Sequence, residues 1–522
     1  MSRGHWATLE WDYPKRLSDD GRELSHIPND IYHSILSYFQ PCDDFSPSKC
    51  KAILFRISLV CRLLRAITIP LLFRDLKISG IGHNSLNRAE YAKFCRYVNE
   101  HKPSAISLAR FIRECTFSDW PAPNSGPELL ALDAYHQALD LYLPAFSRFE
   151  NLQCLTFYST SLLPRIIENL TKLRRLRRLA FRNCVFCEVS IEDIESLQIL
   201  PLTSLTLCGC DNASNIHLGV TTARLEELRT DDWDFVTRLI DVNGQLSSLR
   251  TLELDLHANN SLSISALTRC LNSLPTLSEL FIDNLKIYTL DTLPDPIQLP
   301  ALRVLRSPSQ MINIFSAQGL RKVIVYQAIS RTASPTIPST CPRIQLGTAS
   351  FSENVANRLI QLEIPLTWII GFSLDKHFPC LEILGLCHSG PLIGNVFPNT
   401  DPEVSIKDIL EASEAWSHLK SLRELKLHVN HPFKDELPWN LEAQHYLITM
   451  FVVTNTSLDR VSFTPHVWWR RVPFGELREW KPVVPFSKRE DVRDMLRILS
   501  DKNEEYPGMF VDYDDCFAAL LA

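Results

Sequence analysis

The sequence predicts an α/β solenoid, a curved parallel sheet with helices on its outer wall, preceded by a small all-α motif. Three observations lead there. An apolar spacing recurs every 23 to 28 residues through the middle of the chain, capping-box-like helix starts fall between its copies, and isoleucines near the N-terminus stand four apart.

The spacing is L-x-x-L-x-L, the signature of leucine-rich repeats. It occurs at Leu152-Leu155-Phe157, Leu176-Leu179-Phe181, Leu202-Leu205-Leu207, Leu249-Leu252-Leu254 and Leu277-Leu280-Ile282. Later copies begin at Leu320, Leu359, Leu381, Leu422 and Leu458; weaker ones, at Leu225 and Leu302, end in Thr230 and Ser307; an opening copy reads Ile112-Cys115-Phe117. In a strand, alternate side chains share a face, so the fourth and sixth positions point inward together and the fifth faces solvent. One turn cannot bury its leucines, but stacked turns share a core and their strands form a parallel sheet. Ser190-x-x-Asp193 and Ser405-x-x-Asp408 start helices on the opposite wall.

The ninth position of such a repeat holds a residue that serves the backbone of the adjoining turn, and here it is Cys184, Cys210 and Asn430, with Thr160 and Ser389 as small polar substitutes. Cys184 and Cys187 form a lone C-x-x-C with no second pair at ligand spacing, so a structural role is preferred to zinc or redox chemistry.

Ahead of the repeats, Ile27, Ile31, Ile35 and Phe39 draw one apolar stripe on a helix with Pro28 in its first turn. After a polar break at 40–50, a second helix carries Ile53, Ile57, Val60, Cys61 and Leu64 and contains Ser58-Leu59-Val60-Cys61-Arg62. Pro70-Leu71-Leu72-Phe73 follows, and three short helices cannot bury both faces. An exposed apolar patch marks an interface, and the alternative is that the helices only cap the first repeat.

This arrangement resembles the F-box, in the form that fungal families join to degenerate leucine-rich repeats. The resemblance covers Leu24 to about Ile78, best at Ile27, Pro28, Asp30, Ile31, Ile35, Leu36 and Leu59 to Arg62; the long break and Leu64, where a bulky aromatic is common, depart from it. It implies binding of the Skp-type adaptor of a cullin-RING ubiquitin ligase through Ile27, Pro28, Ile31, Ile35, Phe39, Leu59, Val60 and Leu64, with the repeats presenting a protein substrate. The alternative is a repeat scaffold without adaptor binding. The expected organisation is a tail at 1–23, the F-box-like motif at 24–78, a helical connector at 79–105, the solenoid at 106–470, and a C-terminal cap at 471–522 with a helix at 487–500 opened by Ser487 and Glu490.

The outward positions of three consecutive copies carry Glu227, Asp231, Asp232, Glu253, Asp255, Glu279 and Asp283, with Arg229 the lone cation. Arg178 and Arg182 hold equivalent positions in an earlier copy. One reading is a strip that receives a basic partner segment, since complementary charge speeds encounter; the other is a solvated face. Lys172 to Arg178 reads as a solvated rim in preference to a nuclear-import run. Trp468 and Trp469 are either an exposed contact or a closure of the core.

A net charge of −6 gives no field that would draw nucleic acid or an anionic membrane. No apolar run of membrane-spanning length occurs, no secretory signal is expected, and the 15 cysteines read as reduced thiols, which points to cytoplasm or nucleus. There is no glycine-rich phosphate loop, H-E-x-x-H or G-x-S-x-G, and His428 with His431 lacks a completing ligand. No enzyme activity, metal or cofactor is expected.

Overall fold

The computed structural model describes residues 16–17, 23–24, 31–32, 35–36, 47–80, 85–120, 129–212, 216–244, 246–256, 264–283, 297–317, 319–326, 353–366, 369, 373–387, 406–428, 441–463, 468–474 and 477–483. These fall into two compact units, Met1–Leu202 with Cys210–Asn215, and Thr203–Gly209 with Ile216–Ala522.

In the first unit a short antiparallel pair, Arg16–Leu17 with Glu23–Leu24, precedes helices Pro47–Ser58 and Arg62–Leu72, whose core is Leu36, Leu54, Leu63 and Ile67, with Tyr32, Ile57 and Cys61 packed against it. Two helices thus stand where the sequence suggests one. Cys61 is extended and its Sγ accepts from the Leu64 amide at 3.4 Å, so it caps the second helix and leaves Leu59 and Val60 in the turn. The polar break also ends sooner than expected, because Pro47 opens the first of these helices.

A parallel sheet follows: Asp75–Ser79, Glu114–Trp120, Cys154–Leu162 and Arg178–Arg182. Its first strand precedes the opening copy read from sequence. Phe73-Leu76-Ile78 obeys the repeat spacing but directly follows a helix, which hides it. Register aligns Ile78, Phe117, Phe157 and Phe181 in one inward row, and the last three rings stand 5.9 and 5.7 Å apart. Helices Leu129–Phe146, Pro164–Leu170 and Ile191–Glu195 alternate with these strands; Ser190 and Asp193 form the expected capping box.

The last three of these strands each carry a left-handed residue in or just after their second half, Asp119, Ser159 and Asn183, with φ of 60°, 47° and 53°. Short polar side chains tolerate that conformation best. The next residue then turns inward. Thr160 Oγ1 donates to the Tyr158 and Phe117 carbonyls, and Cys184 Sγ to those of Arg182 and Phe157, which is the backbone service expected of the ninth position.

In the second unit the main sheet has ten described parallel strands, Ser204–Cys208, Glu227–Thr230, Thr251–Asp255, Glu279–Asp283, Val304–Pro308, Lys322–Tyr326, Gln361–Pro365, Ile383–Cys387, Glu424–His428 and Arg460–Ser462, beside a separate short parallel pair, Ile297–Gln298 with Phe315–Ser316. Their register carries one buried row from Leu205 through Leu228, Leu252, Leu280 and Leu305 to Val461. The weak copies are true strands; Thr230 and Ser307 are fully buried, and the Ser307 hydroxyl donates to the Pro308 carbonyl. Helices Trp233–Asn243, Ile264–Asn272, Ile406–Ser413 and Leu441–Thr454 alternate with the strands. An antiparallel hairpin, Trp468–Phe474 with Leu477–Val483, closes the last strand where the sequence reading began a cap. Ser487, Glu490 and the helix expected at 487–500 lie outside the described residues, as does Ser405.

Candidate functional site

The helical residues 31–36 and helix Pro47–Ser58 carry apolar side chains on both their covered and their open sides. Tyr32 and Leu36 face the shared core, whereas Ile31 and Ile35, one residue earlier in each turn, are 48% and 50% exposed. Phe55 at 57%, Leu59 at 69% and Val60 at 71% are more open still. Of the residues expected to bind an adaptor, Ile31, Ile35, Leu59 and Val60 therefore reach solvent. Leu64 is half-buried, because the Cys61 cap draws the first turn of its helix inward. Ile27, Pro28 and Phe39 lie outside the described residues. Phe55 was missed: it stands one turn before Leu59, and an i, i+4 count from it finds the pair.

On the inner side, Lys51 Nζ donates to the Asp75 carbonyl at 2.6 Å, tying the first of these helices to the first strand. Burial pushes the Lys51 ammonium below its usual range and, with Glu114 beside it, lifts the Asp75 carboxyl above its own.

The acidic strip divides in the structure. Thr251 pairs with Glu227 and Glu279, Glu253 stands between Arg229 and Phe281, and Asp255 neighbours Asp283. Glu227 is exposed; the other carboxylates are half-buried. Arg229 Nη1 lies 3.2 Å from Glu253, and Arg306, from the next strand, lies 2.9 Å from Asp283. Burial raises the Asp283 carboxyl, Arg306 pulls it back, and Asp255 and Glu253 push it up again. Asp232 leaves the strip: it caps helix Trp233–Asn243 through the Phe235 amide and lies 3.7 Å from Arg238. Asp231 accepts from the Gly209 amide at 2.5 Å. So Arg229 is not the lone cation, and two of the seven carboxylates hold backbone. Arg178 and Arg182 belong to the first unit, where Arg178 lies 3.0 Å from Glu114 and Arg182 is exposed.

Among the described residues no group of three His, Cys, Asp or Glu side chains gathers to hold a metal. Cys184 is buried, its thiol held below its usual range by the Cys210 thiol, while burial raises that of Cys187. Trp469 closes the core: it is buried and its Nε1 donates to Gln444 Oε1 at 2.7 Å. Trp468 is half-buried beneath the Arg460 guanidinium, 3.1 Å from the ring centre. The side chains of His428 and His431 lie outside the described set.

A scan against protein-family models finds no match. Among curated proteins none matches either. Solved structures similar to the chain include TLR13 in complex with ssRNA13, at 15% identity and a TM-score of 0.31 over 70% of this chain and 46% of that one. An internalin, InlF, of Listeria monocytogenes gives 13%, 0.29, 65% and 90%. Drosophila Toll in its complex with Spatzle gives 13%, 0.32, 68% and 43%. The chain thus spans less than half of the TLR13 and Toll chains.

The fold is a leucine-rich-repeat solenoid. In each unit the parallel sheet presents outward side chains from successive copies, and the N-terminal helical residues leave Ile31, Ile35 and Phe55 exposed.

Proposed function

We propose that the chain is a substrate-recognition adaptor of a cullin-RING ubiquitin ligase: the N-terminal helices bind the Skp-type adaptor and the repeats bind a protein substrate. The observation that carries this reading is the exposed set Ile31, Ile35 and Phe55 on helical residues with Leu59 and Val60 in the adjoining turn, five large apolar side chains left open beside a core that is already filled. Full burial of a side chain of this size returns roughly 1.5 to 3 kcal/mol, and about half of that for Ile31 and Ile35, which are already half covered; that gain supports a partner surface.

A second reading, a repeat scaffold whose helices only cap the first strand, draws on the Lys51 bond to the Asp75 carbonyl. That bond accounts for the inner side and leaves the outer face unexplained. Co-expression of the full chain with a Skp-type adaptor decides between them. A stoichiometric complex through affinity and size-exclusion steps supports the ligase reading; separate elution of two folded proteins leaves the scaffold.

A further inference from the structure

The second unit holds a cavity lined by arginine, away from the acidic strip, where the chain enters the strands. It encloses about 1130 Å³, and Arg250, Arg303, Arg321 and Arg358 line it against the single carboxylate of Glu382. All five side chains are exposed. Arg250, Arg303 and Arg321 enter no ion pair among the described residues.

Their spacing is set by backbone. Each is the second residue of its copy, and that residue's carbonyl accepts from the next strand: Ser278 N donates to Arg250 O at 2.8 Å, Arg303 N to Ser278 O at 2.8 Å, and Arg321 N to Arg303 O at 2.9 Å. Neighbouring strands lie about 4.8 Å apart, so Arg250 and Arg321, three steps apart, are separated by roughly 14 Å with Arg303 between them. Glu226 and Glu382 hold the same second position in their own copies and bound the cationic run on either side.

We propose that this groove docks an extended acidic protein segment whose alternate residues carry carboxylates. An extended chain advances about 3.4 Å per residue, so side chains i, i+2 and i+4 span roughly 14 Å along one edge, the length of the arginine run. A compact anion reaches fewer of these guanidiniums. A nucleic acid extends past both glutamates on a chain whose net charge is already −6. Apolar Pro300 and Leu320 between the cations suit the backbone and methylene parts of a peptide. The proposal concerns the second unit alone and stands apart from the ligase reading.

The test is fluorescence anisotropy of the full chain with a short labelled peptide of alternating Glu and Ser, beside the same peptide with Gln for Glu. The acidic peptide is expected to bind at least about tenfold more tightly, with affinity falling at high salt. Arg303→Gln with Arg321→Gln should weaken it about tenfold at an unchanged melting temperature, Arg303→Lys with Arg321→Lys should retain most of it, and Asp255→Asn should not weaken it. Cys380, an exposed thiol in the same lining, gives an independent readout: bound peptide should slow its alkylation, followed by mass spectrometry. Equal binding of the Gln peptide, an unaffected double Gln variant, an unprotected Cys380, or tighter binding of a labelled oligonucleotide or short polyphosphate than of the peptide each overturns the proposal.

Discussion

Arg306 reaches across one strand to place its Nε 2.9 Å from Asp283 Oδ1. This pair sets how much acid the strip presents, since Asp283 is half-buried and its burial already disfavours the charge. Removing the cation as Arg306→Ala should make Asp283 titrate higher still, read from the carboxyl carbon by NMR. An unmoved titration would mean that the ion pair has no hold on the carboxylate.

The same carboxyl makes stability depend on pH. Its folded value is raised, so between the ordinary aspartate value and the raised one the folded chain binds more protons than the unfolded chain. The associated stability is present in full below the ordinary value and is lost as pH rises through the raised one. Urea denaturation over a pH series should show the wild type gaining on Asp283→Asn upon acidification through that window. A constant offset at every pH contradicts the assignment.

Ile31→Asp with Ile35→Asp should leave the fold intact, because both side chains are half in water already. Adaptor binding should weaken by more than about a hundredfold, since burying an unpaired carboxylate costs several kcal/mol. Circular dichroism checks the first expectation and co-purification the second.

Leu252 and Leu280 lie side by side in the buried row of the second unit. Either changed to Ala should cost about 2 to 5 kcal/mol in chemical denaturation, the range for cavities in packed cores. Glu227→Gln, on the exposed wall of the neighbouring strand, should stay within about 0.5 kcal/mol of wild type.

How much of this was legible varies by element. The repeat was, because two inward leucines per copy repeat whatever the loops do; even Thr230 and Ser307 kept their places as strand residues. Of the ninth-position residues, Thr160, Cys184 and Cys210 were too, since their work is done on nearby backbone; Ser389 and Asn430 lie outside the described residues. Charge pairing was not: Arg306 belongs to the copy after the three that were compared, and only the sheet register sets it against Asp283. The cationic groove was missed because second positions were not counted as outward, although Leu249-Arg250, Leu302-Arg303 and Leu320-Arg321 repeat the same pair. The closing hairpin had a signal in Gly475-Glu476 between two aromatic-bearing runs, masked by Pro473 inside a strand pattern.

The strip can be dissected in turn. Asp231→Asn should lower stability by about 1 to 2 kcal/mol, because the carboxylate accepts a charge-assisted bond from the Gly209 amide. Glu227→Gln with Glu279→Gln should leave stability nearly unchanged and slow association with a basic partner, most at low salt. Equal effects of the two changes on stability would place Asp231 with the solvated face.

The central claim, that the outer face of the N-terminal helices is an interface, is tested most directly by hydrogen exchange with and without a Skp-type adaptor. Added adaptor should slow exchange in peptides covering 31–36 and 55–60 while the repeat strands keep their rates. Unchanged exchange in both peptides at saturating adaptor, or protection confined to the repeats, would contradict it.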